Sequence, residues 1–521
     1  MLFLNKNRDG NMTQKGIESG ISKQLFQALD KIEKLERKLD KTYDVIDELK
    51  KDFSKKEKEY EREIAKLKEE NKEYKKNNEK LENENKELKG EILRLRANNQ
   101  KDSSNSSKPS STNGFKKVIT NRREPSQNKP GKPKGESSTN LSQEKYEKFC
   151  NSGNVEHEII EVNKNNENQN KPYKSVRVLD IKIVKQVVEY RYYPNEDGTY
   201  SIPKCHNRAI QWGPNLKTIC AVLNNDVYNS TDGIVRFISN ITNKGIKLVK
   251  STILRWNKDL ACKLAPEISN IEEKLISAYF LNCDDSTIKI NGNGYNDLCV
   301  CNNKYTRLWI SEKKDRDSWK DITILSNYKG IIVKDGTDVF YTLALFFAQC
   351  VSHILRYTKG IYDFVDHAGA RKMADFLKRC IHERNLLIKK GITSYTESEL
   401  NKLYEEYNDI LKEWKKEWMK SEPDKNPVYD DERKLLARFE DENEKNEILY
   451  FLKDFQIPAT NSQAEVDQRN AKIKQKIGKF RSVDSACDYA VIRSCINTYK
   501  KNDVCVYEAL QSAFLNKTVI I

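Results

Sequence analysis

The sequence predicts a multidomain α/β protein in which an N-terminal parallel coiled coil and a basic linker precede a mixed region of strands and helices. Three observations carry this prediction. From Leu25 to Leu95 every seventh residue is large and apolar, over residues 99–140 all periodicity disappears, and beyond them β-branched runs and Asn-Gly turn signals are interspersed with helical patterns. A chain of 521 residues is also longer than a single core organises, so several domains are expected.

The first heptad seam reads Leu25, Ile32, Leu39, Ile46, Phe53, Tyr60, Leu67, Tyr74, Leu81, Leu88 and Leu95 without interruption, the signature of a coiled coil. At about 1.5 Å rise per residue the rod is roughly 105 Å long. The second seam carries Asn71, Asn78 and Asn85 in succession. Buried asparagines at one seam position penalise every register in which they do not meet, so a parallel, in-register homodimer is expected. Charge in the middle of this seam leaves a solvated single helix as the alternative. The linker that follows has nine basic residues against three acidic ones and is rich in Ser, Pro, Gly and Asn. It reads as flexible, either a spacer or a tether that follows phosphates.

Composition narrows the partners. With 93 Lys+Arg against 78 Asp+Glu the formal charge is +15, which favours a polyanion such as nucleic acid over an acidic small substrate. No apolar run approaches the roughly 20 residues that span a bilayer, and "MLFLNKNRDG" has no core of signal-peptide length. A cytoplasmic location with no membrane partner is therefore expected. The 12 cysteines show no repeated CxxC framework and read as reduced thiols. Cys299 and Cys301 form a close pair without two further ligands, and Cys150, Cys205 and His206 offer three candidates where tetrahedral zinc needs four. No zinc is predicted.

In the middle of the chain, residues 176–193 are β-branched and aromatic and predict one or two strands. "TDGIVRFISNI" then places Ile234, Phe237, Ile238 and Ile241 on one helical face behind a Thr231 cap. After a turn at Gly245, "VKSTILRWNKDL" forms a second helix exposing Lys250, Arg255 and Lys258. This is the outline of a helix-turn-helix that reads DNA, and equally of an ordinary helical hairpin.

Acidic residues mark a second theme. An apolar run ends in Asp284-Asp285, is followed by Asn291-Gly292 and Asn293-Gly294, and is echoed by "YKGIIVKDG" ending at Asp335. Asn-Gly is the strongest short hairpin signal, so antiparallel strands are expected near "DLCVC" and "YTRLWIS". Two strands that terminate in aspartate can bring both carboxylates to one sheet edge, where about 4 Å of separation means roughly 4 kcal/mol of repulsion at an effective dielectric of 20. Such a pair calls for a cation, and oxygen ligands favour Mg²⁺ or Mn²⁺. Each Asp alone also reads as a turn or cap residue. Farther on, "TNSQAEVDQRNAKIKQKIGKFRS" as a helix aligns Glu465, Arg469, Lys472 and Lys476 on one face and Val466, Ile473 and Ile477 on another. Ser462 and Glu465 there also have capping-box spacing.

Together, Asp284 with Asn291-Gly292, "VKDGTDVFY", "QCVSHILR", "TNSQAEVDQR" and "GKFRS…AC…IRSCINT" resemble the transposases of the insertion sequence 66 family over roughly residues 210–521. The coiled coil and the "KPGKPKG" linker resemble the family's N-terminal part. The resemblance implies a ribonuclease H-like catalytic core with an Asp, Asp, Glu metal triad, here Asp284, Asp335 and Glu465, holding two Mg²⁺ or Mn²⁺ ions. Tyr341, Cys350, His353 and Arg356 match motif positions without an assigned role. The long segment between Asp335 and Glu465 reads as a helical insertion.

The expected organisation is a flexible N-terminus (1–24), a coiled coil (25–98), a basic linker (99–145), a small β-rich region (146–210) and a helical DNA-binding region (211–275). The first part of the catalytic core (276–360), a helical insertion (361–455) and the rest of the core (456–521) complete it. On this resemblance the protein is a bacterial, nucleoid-associated enzyme acting on terminal inverted repeats and target DNA, with Lys250, Arg255, Lys258, Arg469, Lys472 and Lys476 as DNA contacts. Accessory proteins of the element are possible partners. The sequence departs from the family at Val466, where an Arg is usual, and at Ser286, where a Thr is expected. A DNA-binding descendant without catalysis and a coiled-coil scaffold are the alternatives.

Overall fold

In the computed structural model the described residues are 27, 43–106, 142–151, 155–161, 174–203, 206, 208–313, 315–336, 338–342 and 346–517. Heptad positions Leu25, Ile32 and Leu39, the segment 1–24 and linker residues 107–141 lie outside them. The chain divides between Leu93 and Arg94 into two units.

The first unit contains most of helix α1, Tyr43–Gln100, 58 residues rich in Glu and Lys. These straight-chain residues lose little rotamer freedom in a helix, and pairs such as Lys66–Glu70 and Lys80–Glu84 add a few tenths of a kcal/mol each. The seam residues Tyr60, Leu67, Tyr74, Leu81 and Leu88 stand exposed along it. No helix among the described residues is long and apolar enough to cross a membrane.

In the second unit, α2 (Gln143–Cys150) precedes a stretch without strands. Residues 176–193, expected to be strands, pair with no neighbour among the described residues, and Val178, Ile181 and Val187 are exposed. β-Branched residues favour strands because they fit a pleated, half-buried surface, and no such surface meets them among the described residues.

Four helices follow, α3 (Pro214–Asn225), α4 (Thr231–Ile241), α5 (Lys250–Lys263) and α6 (Ala265–Ile276). The cap of α4 is Ser230 rather than Thr231. Ser230 is extended and its Oγ accepts the Gly233 N–H at 3.0 Å, whereas Thr231 already lies within the helix. Ile234 and Ile238 are buried, while Phe237 faces outward. The turn before α5 closes at Gly245, whose N–H donates to the Thr242 carbonyl at 3.0 Å, with Asn243 and Lys244 within it in left-handed conformations (φ 49° and 59°).

The sheet comprises β1 (Phe280–Ile290), β2 (Asn293–Cys301), β3 (Thr306–Ser311), β4 (Ile331–Lys334) and β5 (Phe346–Gln349) in the order β3-β2-β1-β4-β5. Only β2 runs against the others. Asn291 and Gly292, at φ 49° and 90°, make the two-residue turn between Ile290 and Asn293 that the Asn-Gly pair predicts. One expectation fails: β1 does not end at Asp284 but continues to Ile290, because its pairing with β2 runs unbroken through Asp284↔Cys299 to the turn.

Short helices α7 (Arg316–Lys320) and α8 (Thr323–Asn327) connect β3 to β4. Beyond β5 come α9 (Val351–Tyr362), α10 (Ala368–Lys389), α11 (Glu397–Lys420), α12 (Tyr429–Glu440), α13 (Glu442–Ile448) and α14 (Tyr450–Lys453). The chain then closes with α15 (Ser462–Gly478), α16 (Val483–Lys501) and α17 (Val506–Phe514).

Two main cores result. Leu281, Cys283, Leu298, Val300 and Ile332 from one sheet face pack with Ile253, Leu260, Leu275, Ile496 and Leu510. A separate core of Met373, Phe376, Tyr407, Trp414, Phe439 and Phe451 holds the helices between β5 and α15 together. Edge strand β3 is covered by α16, where Ser494 Oγ and Thr498 Oγ1 accept the Leu308 and Thr306 N–H groups at 2.9 and 3.1 Å. These contacts satisfy backbone donors that an open edge leaves bare. At the end of α1, Ala97 joins the helical core and Asn105 donates to Asp363 at 3.2 Å. Gly360 on α9 lies so close to the Asn105 carbonyl that a Cβ there would stand 2.3 Å from it.

Lys474 on α15 is buried and donates to the Asn224 carbonyl at 2.6 Å, and burial pushes its ammonium down to about 7. The unfolded chain keeps that proton to about pH 10.4. Between these values the unfolded state binds more protons, so stability rises with pH by roughly 1.4 kcal/mol per unit from this group. Lys474→Met should flatten that rise, read as the difference between variant and parent in urea unfolding at pH 7 and pH 9.5.

Candidate active site

The parallel register of β1 and β4 builds the site. Phe280, Leu281 and Asn282 pair with Ile331, Ile332 and Val333, and two residues farther along come Asp284, within β1, and Asp335, the residue that follows the end of β4. Side chains alternate along strands, so both aspartates lie on the sheet face of Asn282 and Val333, on strands about 4.8 Å apart. Asp285, opposite Leu298, belongs to the other face, and its N–H donates to Asp284 Oδ1 at 2.9 Å. Glu465 arrives from the first turn of α15.

The electrostatics record this convergence. Burial first, then the carboxylates of Asp335, Asp285 and Glu465, hold the Asp284 carboxyl well above the usual range. The donors are all oxygen, the chemistry a hard divalent cation takes, and their oxygens do not all lie within 4.8 Å of one another in this arrangement. The Glu465 carboxylate is not spent on a capping box. The cap of α15 is Asn461, Ser462 Oγ donates to Thr460 Oγ1 at 3.0 Å, and Glu465 faces Arg356 Nη2 at 3.8 Å.

The remaining motif residues cluster around this centre. Arg356 Nη1 lies 3.3 Å from His353 Nε2 on α9. Burial and the Arg356 cation hold the His353 imidazole below its ordinary value against the opposing pull of Asp335 and Glu465. Cys350 is buried, and its Sγ accepts the Asn461 N–H at 3.1 Å, so it anchors the start of α15. Tyr341 is exposed and its hydroxyl donates to Glu447 at 3.0 Å. Arg469 and Lys476 are exposed on α15 and Lys472 is partly buried beside Asp297. Lys250, Arg255 and Lys258 are exposed on α5, where Lys250 pairs with Asp232 at 2.9 Å.

The faces of α15 differ from the sequence reading. Val466 and Ile477 are exposed, and the buried face is Ala464, Asp467, Gln468, Ala471 and Lys474. The sheet surface beneath carries acidic side chains and exposed carbonyls, which small and hydrogen-bonding residues match better than aliphatic ones. Gln468 Nε2 donates to the carbonyls of Asp284 and Asp297 at 2.9 and 2.6 Å, and Asn461 Nδ2 to that of Cys283 at 2.7 Å. Asp297 is a fourth carboxyl near the group. Burial, with Asp284 and Asp467 adding to it against Lys472, keeps it well above the usual range.

Sequence reasoning missed Asn461, Gln468 and Asp297. The available signal was the polar residue set at helical spacing, Ala464, Asp467, Gln468, Ala471, which looks like a solvated face. Cys299 and Cys301 also gain a third neighbour, Asp467, with one potential ligand atom of each within 4.8 Å of the others. The Asp467 Oδ2 already accepts from Lys501 Nζ and Thr306 Oγ1, both at 2.7 Å, so the adjacent ammonium supplies the charge that a cation would bring.

Asn461→Ala leaves the buried Cys283 carbonyl without its donor. It should cost about 1–3 kcal/mol in urea unfolding.

The family model described as Transposase IS66 family matches residues 213–487, more than half of the chain. No curated protein matches it. The matched segment includes Asp284, Asp335 and Glu465 with the helices and strands that carry them, and the chain belongs to the IS66 transposase family.

Proposed function

We propose that the protein is a DDE-type DNA transposase that cuts strands at the ends of an insertion sequence and joins the released 3′-OH to target DNA. The observation that carries this reading is the register of β1 against β4, which sets Asp284 and Asp335 side by side at one sheet face, with Glu465 arriving from the first turn of α15. The sheet order β3-β2-β1-β4-β5 with β2 alone reversed supports a ribonuclease H-like core. Asp284, Asp335 and Glu465 would hold two Mg²⁺ or Mn²⁺ ions. When bound, such ions supply Lewis acidity to the scissile phosphate and to the attacking and leaving oxygens.

The chain's own groups do the rest. Gln468 and Asn461 hold the β1 backbone through the carbonyls of Asp284 and Cys283, and Arg356 restrains Glu465. Arg469, Lys472 and Lys476 give α15 a cationic surface for phosphates, and Lys250, Arg255 and Lys258 on α5 would contact end sequences. The exposed seam of α1 suits a parallel homodimer.

The test is nicking of a duplex bearing the element's terminal repeats, with Mg²⁺ or Mn²⁺. Asp284→Asn, Asp335→Asn and Glu465→Gln should each abolish cleavage while end binding persists. Normal cleavage by any of them removes that residue from the triad, and specific binding without cleavage by the parent favours a catalytically inactive descendant. Neutralising Arg255 or Lys258 should weaken binding and reduce its log-log salt slope by about 1 if the residue contacts phosphate. An unchanged slope places that residue off the DNA.

A further inference from the structure

Asp335 is bracketed by two contacts from the helical segment between β5 and α15. Before it stands Lys334, fully buried at the end of β4, its carbonyl accepting the Cys350 N–H at 2.8 Å. The Lys334 ammonium lies 3.9 Å from Glu447 Oε2 on α13 and 3.9 Å from the centre of the Tyr341 ring. After Asp335 stands Gly336, where a Cβ would be 3.0 Å from Arg438 Nη2 and 3.3 Å from Nη1. The Gly336 φ is not positive, so backbone conformation does not call for glycine there, and a side chain would press on the Arg438 guanidinium, which would have to give by a few tenths of an ångström.

Arg438 has little freedom to yield. It extends from α12, donates from Nη2 to Gln349 Oε1 at 2.6 Å and from Nε to Glu444 Oε2 at 2.7 Å. Gln349, paired with Lys334 across β4 and β5, also donates to Glu444 and Glu447 at 3.2 and 3.1 Å. Two cations, Lys334 and Arg438, thus face two anions, Glu444 and Glu447. The network is neutral in itself; it ties Lys334 to the helical segment and sets the Arg438 guanidinium against Gly336.

The geometry points to the helical insertion as the device that positions Asp335, with Arg438 and Glu447 as positioning residues. This deepens the metal reading of Asp335 given above and rests on it. Groups that orient a ligand from outside commonly change metal affinity by about 10–100-fold when removed.

The test is Mn²⁺ titration of the full-length protein, with free Mn²⁺ read by electron paramagnetic resonance, alongside the Mn²⁺ dependence of end nicking. Arg438→Ala and Gly336→Ala should each raise the Mn²⁺ Kd by at least about tenfold and move half-saturation of nicking equally, with excess Mn²⁺ restoring much of the rate. Arg438→Lys, which keeps the charge, should fall between parent and Arg438→Ala. Adding Gly336→Ala to Arg438→Ala should change little, because the space is then open. Gly336→Ala leaves every polar partner in place, so it carries the test if circular dichroism finds Arg438→Ala unfolded. A parental Kd in folded Gly336→Ala, with binding lost in Asp335→Asn, overturns the positioning role alone. Parental Mn²⁺ binding in Asp335→Asn overturns the metal reading and this inference with it.

Discussion

The structure depends on the parallel register of β1 against β4. Side chains along a strand alternate between faces, so a slip of one residue would send Asp284 to the opposite face and leave Asp335 alone. Holding two carboxylates level on adjacent strands is unfavourable by about 4 kcal/mol at a separation of 4 Å and an effective dielectric of 20. The register is imposed by the apolar residues around them. Leu281, Cys283 and Ile332 are buried in the main core, and β1 is clamped between β2 and β4, so no edge is free to slide.

The constraint propagates to α15. A helix covering a surface of carboxylates and backbone carbonyls must bring donors, and Gln468 and Asn461 do so toward the sheet while Lys474 does so toward α3, from positions that aliphatic side chains normally occupy. Glu465 can reach the same centre because its helix is seated by these polar contacts and by the Cys350 thiol. The helix therefore presents its apolar Val466 and Ile477 outward, an inversion of the usual amphipathic pattern.

The helices between β5 and α15 form a second core of their own, yet they meet the sheet at the most sensitive place. Arg438, Glu444 and Glu447 converge on the ends of β4 and β5, while Ala97 in the last turn of α1 and Asn105 just beyond it pack against the same helices.

The sequence by itself determined the elements whose rules are local. The heptad seam of α1, the Asn291-Gly292 hairpin, the strands on either side of it and the helices around residues 231–263 follow from periodicity and turn chemistry, whereas the Asp284, Asp335 and Glu465 triad is what the resemblance to the family implies. Local reasoning erred where a partner decides the outcome. Residues 176–193 have strand composition without a surface to lie on. Ser230, not Thr231, caps α4 because the backbone bends one residue earlier. β1 runs past Asp284 because β2 pairs with it. Only the tertiary structure decided that Asp467 and Gln468 face inward, that Asp297 lies close to Asp284 and that Gly336 sits against Arg438, about a hundred residues away. Burial and hydrogen bonding are set by whichever distant segment arrives, and that information is not carried by the spacing of neighbours along the chain.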